Sequence, residues 1–288
     1  MSITAKILSS LFLKGDNKRD AGLVTPENIQ RIDDLYYGNY QEQILDVYKP
    51  KDAIGKLPII VSVHGGGWVY GDKERYQYYC MDLASRGFAV INYSYRLAPQ
   101  AKWPSQLEDT NLVFHWIKNH SKEYGFDINH LFALGDSAGA HLLSLYCIFA
   151  LDKEYAMQYA FKPFDMIPKA IALNCGVYDV TEDMGSLKDL MKDLLSSVTQ
   201  EKLERISPLY HLTKNFPPSL IMTASKDQLK IQSEKLRDKM DELSLSYQYK
   251  EYDNEDHTLG HVFHLNIRSL EARKCNDEEC DFFHSFIQ

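Results

Sequence analysis

The sequence predicts an α/β fold, a mainly parallel twisted sheet flanked by helices and built as one domain over residues 1–288. Three observations carry this. Short apolar runs alternate with helix-period segments for most of the chain, the pattern of a sheet covered on both faces. Some of those runs are apolar throughout, as in Leu57–Val63 (LPIIVSV), which is what a strand buried on both sides requires. With 44% hydrophobic and 25% charged residues, a chain of 288 residues can bury a large core without disulfide or metal staples.

In order along the chain, roughly the first 35 residues precede the sheet. The short apolar stretch 7–13 is followed at once by Lys14, Asp16, Lys18 and Arg19, with no small-residue cleavage site. It is expected to form an amphipathic helix packed on the body or part of a cap, rather than a signal peptide. Residues 43–48 alternate as an edge strand does. Strands are expected at Leu57–Val63, 88–95, 131–134, 170–173, 219–223 and Tyr247–Tyr252. Helices are expected at 79–85, from Pro104 toward Tyr124, at Ala138–Leu151, 233–243 and 277–287. Residues 181–215, polar and helix-prone (LKDLMKDLL), interrupt the alternation and are expected to form a lid.

Charge and cysteine usage narrow the function classes. A formal net charge of −8 argues against nucleic acid or an anionic membrane as main partner, since both demand a basic surface. No run of roughly 18 apolar residues occurs, so no membrane span is expected. The five cysteines are irregularly spaced, without zinc-site pairing; Cys147 and Cys175 lie in apolar runs and are expected to be core thiols. A reducing, cytoplasmic location is the expectation.

The chemistry-bearing signal is LFALGDSAGAHLL, where Gly135, Ser137 and Gly139 form G-x-S-x-G between a strand and a helix. A serine on so sharp a turn presents its hydroxyl above the sheet, needs small neighbours, and has helix N–H groups behind it. Upstream, at the end of a buried strand, stand His64, Gly65, Gly66, Gly67 and Trp68. Consecutive glycines let backbone N–H groups turn inward, as an oxyanion requires. His64 is expected to shape that loop and not to act as a base. Trp68 and Tyr70, with Tyr76, Tyr78 and Tyr79 behind them, are candidate pocket residues, although tyrosines in such a stretch equally serve packing.

These two motifs, with Tyr-Arg-Leu-Ala-Pro at residues 95–99, resemble the hormone-sensitive-lipase-like branch of the α/β-hydrolases, over roughly residues 40–288. Bacterial carboxylesterases and carbohydrate acetyl or feruloyl esterases look most similar. The resemblance implies an α/β-hydrolase fold and oxyanion N–H groups from Gly66, Gly67 and Ala138. It implies a structural ion pair for Arg96 with Glu108 or Asp109. The fold supplies its triad in the order Ser, acid, His. Asp227, followed by Gln228 and Leu229, matches the acid position. His261, followed by Val262 and Phe263, resembles the histidine pattern, with His257 as the alternative; His264 is expected to pack or lie at the surface. The function implied is a serine carboxylesterase acting on small-molecule esters with short acyl groups, acetyl among them, without metal or organic cofactor. Formamidase and lactonase chemistry use the same triad, and plant gibberellin receptors of this branch bind ligand without a working triad. Oligomeric state is not legible.

Overall fold

The computed structural model describes residues 1–182 and 185–287. Its strands are β1 (Ile29–Tyr36), β2 (Ile44–Pro50), β3 (Leu57–Val63), β4 (Ala89–Tyr93), β5 (Phe126–Asp136), β6 (Ile171–Asn174), β7 (Ser219–Ala224) and β8 (Tyr247–Tyr252). They form one sheet in the order β1-β2-β4-β3-β5-β6-β7-β8. The β1–β2 and β2–β4 pairs are antiparallel and every later pair is parallel. Around it lie α1 (Ile3–Asp20), α2 (Lys73–Ala84), α3 (Ser105–Tyr124), α4 (Ala138–Leu151), α5 (Lys153–Ala156), α6 (Ser186–Leu194), α7 (Gln200–Arg205), α8 (Lys230–Glu242) and α9 (Leu270–His284).

The continuous apolar strands serve both layers. Ile59, Val61 and Val63 of β3 face a core shared with α3 and α4, while Ile60 faces Val90, Phe132 and the helices α2 and α9. Period-2 alternation thus feeds two apolar faces, which is why polar residues in these strands are few and buried, such as Ser62 and Asn92. Residues 43–48 are not the edge of the sheet. β2 lies between β4 and β1, and the strand β1, within the segment expected to precede the sheet, is the true edge. Its sequence, IQRIDDLY, is mostly solvent-facing and breaks register between Ile32 and Leu35, so no alternation announces it. Three helices also start earlier than expected, α2, α8 and α9. Asp72 caps α2 by accepting from the Arg75 N–H, and Ser269 caps α9 by accepting from the Ala272 N–H.

The segment 181–215 contributes α6 and α7, with residues 183 and 184 outside the described ones. Helix α6 lies against α1, tied by Thr4 Oγ1 donating to Asp189 at 2.7 Å and by the Ser2 N–H on the Asp193 carboxylate. No helix among the described residues is long and apolar enough to cross a membrane. All five cysteines are buried and free.

Arg96 meets both carboxylates the resemblance implied, with Nη2 at 2.7 Å from Glu108 and 2.6 Å from Asp109. Asp109 is wholly buried and also accepts from Gln43 Nε2 at 2.6 Å, which fastens α3 to the start of β2. In Arg96→Ala the Asp109 carboxylate stays buried with its cation removed. The expected cost is about 3 kcal/mol, read as a lower urea midpoint with unchanged m; an unmoved midpoint would contradict it.

Candidate active site

The nucleophile candidate is held by the strand-to-helix junction. β5 ends at Asp136, α4 begins at Ala138, and Ser137 between them has φ +51° and ψ −117°. Its N–H donates to the Asn174 carbonyl on β6 at 2.9 Å, and its carbonyl accepts from His141 N–H in the first turn of α4. The turn is tight because α4 packs its first residues onto the end of β3: a Cβ on Gly139 would lie 1.9 Å from the Val63 carbonyl oxygen. No side-chain hydrogen bond involves Ser137 Oγ among the described residues, and Ser137 lines two cavities. Helix α4 aims its N-terminus at this point, favouring negative charge there.

The glycine loop follows β3. Gly66 and Gly67 have φ of +109° and +60°, values that side-chain-bearing residues rarely adopt, and Gly66 O accepts from Val69 and Tyr70 N–H to close the turn. The Gly65 N–H is spent on Tyr76 Oη at 2.8 Å, and Tyr76 in turn donates to Asp136 Oδ2 at 2.8 Å. This strap ties the glycine loop to the serine turn. The N–H groups of Gly66, Gly67 and Ala138 have no protein acceptor among the described residues, and all three residues line the cavities around Ser137.

His64 lies outside both cavities. It is fully buried, stacked on Tyr95 with ring centres 4.0 Å apart, and burial pulls its pKa down to about 4, so it stays neutral. Trp68 is buried, donating from Nε1 to His141 at 3.2 Å, and one side of it lines the larger cavity. Tyr70 lines the smaller cavity and donates to Asp16 of α1 at 2.7 Å. Of the three tyrosines behind it only Tyr76 reaches a cavity. Tyr78 donates to the Leu23 carbonyl, and Tyr79 is buried against Glu279.

Asp227 sits just beyond β7. Its Oδ1 accepts from Leu229 N–H at 2.9 Å and pairs with His261 Nδ1 at 2.7 Å, while Oδ2 accepts from Thr223 Oγ1 at 3.0 Å. Burial pushes its pKa up, but the His261 contact and the Leu229 N–H outweigh that and hold the carboxyl below its usual value. His261 lies in the loop between β8 and α9, pinned by a parallel bridge between Lys226 and Gly260. It lines both cavities with Ser137. His257 does not reach them: its side chain is 75% exposed and pairs with Asp253 on the same loop. His264 is fully buried against the Tyr79 ring, and burial lowers its pKa to about 3.

The cavities, of about 200 and 420 Å³, share Phe12, Gly67, Ser137 and His261. Leu11, Phe12 and Asp16 of α1 wall the smaller; Leu187 and Leu190 of α6, with Leu8 of α1, wall the larger. The individual wall residues carry no local sequence signal, although α1 and α6 fall in the two segments, 1–35 and 181–215, expected as cap and lid. Asp136 precedes Ser137 at the end of β5. Its carboxyl faces the smaller cavity, and burial pushes its pKa up to about 7 despite the Tyr76 hydroxyl. Among the described residues, the metal-ligating types that cluster are Cys175, Asp227 and His261. Of these, Asp227 Oδ1 and His261 Nδ1 are engaged with each other in a hydrogen bond of 2.7 Å.

Residues 45–240 match the BD-FAE family. The chain belongs to that family of α/β-hydrolases. The BD-FAE match spans β2 to α8 and includes the serine turn, the glycine loop and Asp227, while His261 lies beyond it. Esterase LipC of Mycobacterium tuberculosis is 30% identical over 203 residues, covering 67% of this chain and 50% of that protein. The probable carboxylic ester hydrolase LipM of the same organism is 29% identical, covering 68% and 48%. The chain thus spans about half the length of the curated relatives it matches. Esterase B of Lactobacillus rhamnosis superposes with a TM-score of 0.90 at 26% identity, covering 98% of this chain and 93% of that one. The Pyrobaculum calidifontis esterase superposes at 0.79 and 23% identity, covering 99% and 93%, a likeness of fold.

Proposed function

We propose that this BD-FAE member is a serine carboxylesterase hydrolysing short-chain acyl esters, with Ser137 as nucleophile, His261 as base and Asp227 as its orienting acid. The observation that carries the reading is the His261–Asp227 hydrogen bond of 2.7 Å on the wall of a cavity that Ser137 shares. In this mechanism Ser137 Oγ attacks the ester carbonyl and gives its proton to His261 Nε2. Asp227 holds the Nδ1–H tautomer and stabilises the imidazolium that forms. The N–H groups of Gly66, Gly67 and Ala138 receive the oxyanion. The alcohol leaves with the proton from His261, and water then attacks the acyl-enzyme by the same route.

The curated relatives named above are esterases or carboxylic ester hydrolases, in keeping with ester chemistry. Esterase B of L. rhamnosis has been crystallised inhibited by a C4 tributyrin phosphonate, which favours short acyl chains for this chain as well. The lining of the larger cavity includes no Asp, Glu, Lys or Arg, which suits an uncharged acyl group. A series of p-nitrophenyl esters tests this. Turnover is expected to be highest from acetyl to butyryl and lower by roughly tenfold or more at octanoyl. A maximum at octanoyl would overturn the short-chain assignment, and failure to cleave any ester would overturn the enzyme reading itself.

A further inference from the structure

Helix α1 is apolar on two sides. Its inner side is accounted for: Ala5 is fully buried, Leu8 and Phe12 wall the cavities, and Asp16 accepts from Tyr70. Its outer side is not. Ile3 and Ile7 are 78% and 56% exposed and stand four residues apart on one face, and Leu11, 59% exposed while also lining the smaller cavity, continues the stripe to the site. Met1 and Leu13 extend the exposed apolar area. Leaving this much aliphatic surface in water on one helix is costly unless something covers it.

The charges around the stripe indicate what covers it. Lys6, Lys14 and Lys18 are exposed on α1, and no acidic residue occurs before Asp16. Lys18 and Arg268 line a groove that runs to His261. A second copy of the chain docked through this face about a twofold axis would bring two lysine-bearing faces of like charge together. An anionic lipid surface meets both features, taking the isoleucines into its acyl boundary and the lysines at its headgroups. The net charge of −8 does not forbid this. The carboxylates nearest the stripe are already engaged, Asp189 with Thr4 and Lys192, Asp193 with the Ser2 N–H, and Asp16 with Arg19 and Tyr70; at about 0.1 M salt the screening length is about 10 Å, so remoter acids count little beside the lysines.

We propose that the outer face of α1 is an interfacial docking surface for an anionic lipid layer. Combined with the esterase reading, on which this last step rests, docking would hold the cavity beneath Leu11 and Phe12 against a layer from which acylated lipids enter.

The test is co-sedimentation of the full chain with vesicles of equimolar phosphatidylcholine and phosphatidylglycerol, alongside pure phosphatidylcholine, at about 0.1 M salt. Wild type should partition to the anionic vesicles and much less to the neutral ones, with binding weakened as salt is raised. Ile3→Glu/Ile7→Glu should lose about tenfold or more of that partitioning while cleaving a water-soluble p-nitrophenyl ester at the wild-type rate. Equal sedimentation of wild type and double variant would overturn the proposal. So would a dimer in sedimentation velocity that the double variant dissociates, because the stripe would then be a self-interface. Anionic-vesicle binding lost in the double variant, in a protein that cleaves no ester, would uphold docking and sink the esterase reading alone.

Discussion

Ser137→Ala is expected to reduce kcat for p-nitrophenyl butyrate by as much as ~10⁶-fold and to abolish labelling by a fluorophosphonate probe. The protein should remain folded. Ser137 Oγ makes no hydrogen bond among the described residues, and alanine keeps the same Cβ at the same φ of +51°. The groups that fix the turn are all backbone, so they survive the substitution: the Ser137 N–H on Asn174, the His141 N–H on Ser137, and the contact of Gly139 with β3. What remains after the hydroxyl is lost is the oxyanion cradle and substrate binding, which alone give a modest rate over water. The same outcome is expected for His261→Ala, and His257→Ala should label and turn over as wild type does. Turnover by Ser137→Ala within a factor of about ten of wild type would remove it as nucleophile and leave the two cavities as a binding site.

The site was legible wherever the chemistry demands a local pattern. A serine at a left-handed turn needs Gly135 and Gly139 beside it, and a loop that turns N–H groups inward needs Gly66 and Gly67, so both leave short signatures in the sequence. The buried strands were legible for a similar reason, because a strand between two layers, such as β3, has no polar face to disguise it. β1 was not, because an edge strand facing solvent carries Arg31, Asp33 and Asp34, and so reads as a loop. The start of α2 was missed through Lys73. In sequence it looks solvated, but the structure buries it beside Asp34, Asp46 and Glu74, at 2.9, 3.0 and 2.7 Å. The walls of the cavities are the third case. Leu11, Phe12, Leu187 and Leu190 come together through the packing of α1 on α6, over a separation in sequence that no local period encodes.

Two histidine–carboxylate pairs stand near the end of the sheet, and their environments predict different results on mutation. Asp227 is without side-chain exposure and His261 is 18% exposed, whereas His257 and Asp253 are 75% and 34% exposed. Of the two histidines only His261 lines the cavities with Ser137. Asp227→Ala is therefore expected to lower kcat by about 10⁴-fold, while Asp253→Ala should leave it within a factor of about two. Asp227→Asn should cost less than the alanine. Its carbonyl can still accept from Leu229 N–H and His261 Nδ1–H while the amide turns to the Thr223 hydroxyl, so orientation survives and the loss reflects the missing charge. The pH dependence follows from the same contacts. With its pKa held below the ordinary carboxyl value, Asp227 contributes stability that is fully present above an unfolded pKa of about 3.9 and is lost as pH falls through the lower folded value. The stability that wild type holds over Asp227→Asn through the Asp227 charge should accordingly be lost below about pH 4, as followed by urea unfolding. A loss of turnover in Asp253→Ala as large as in Asp227→Ala would transfer the acid role to the exposed pair, and with it the base to His257.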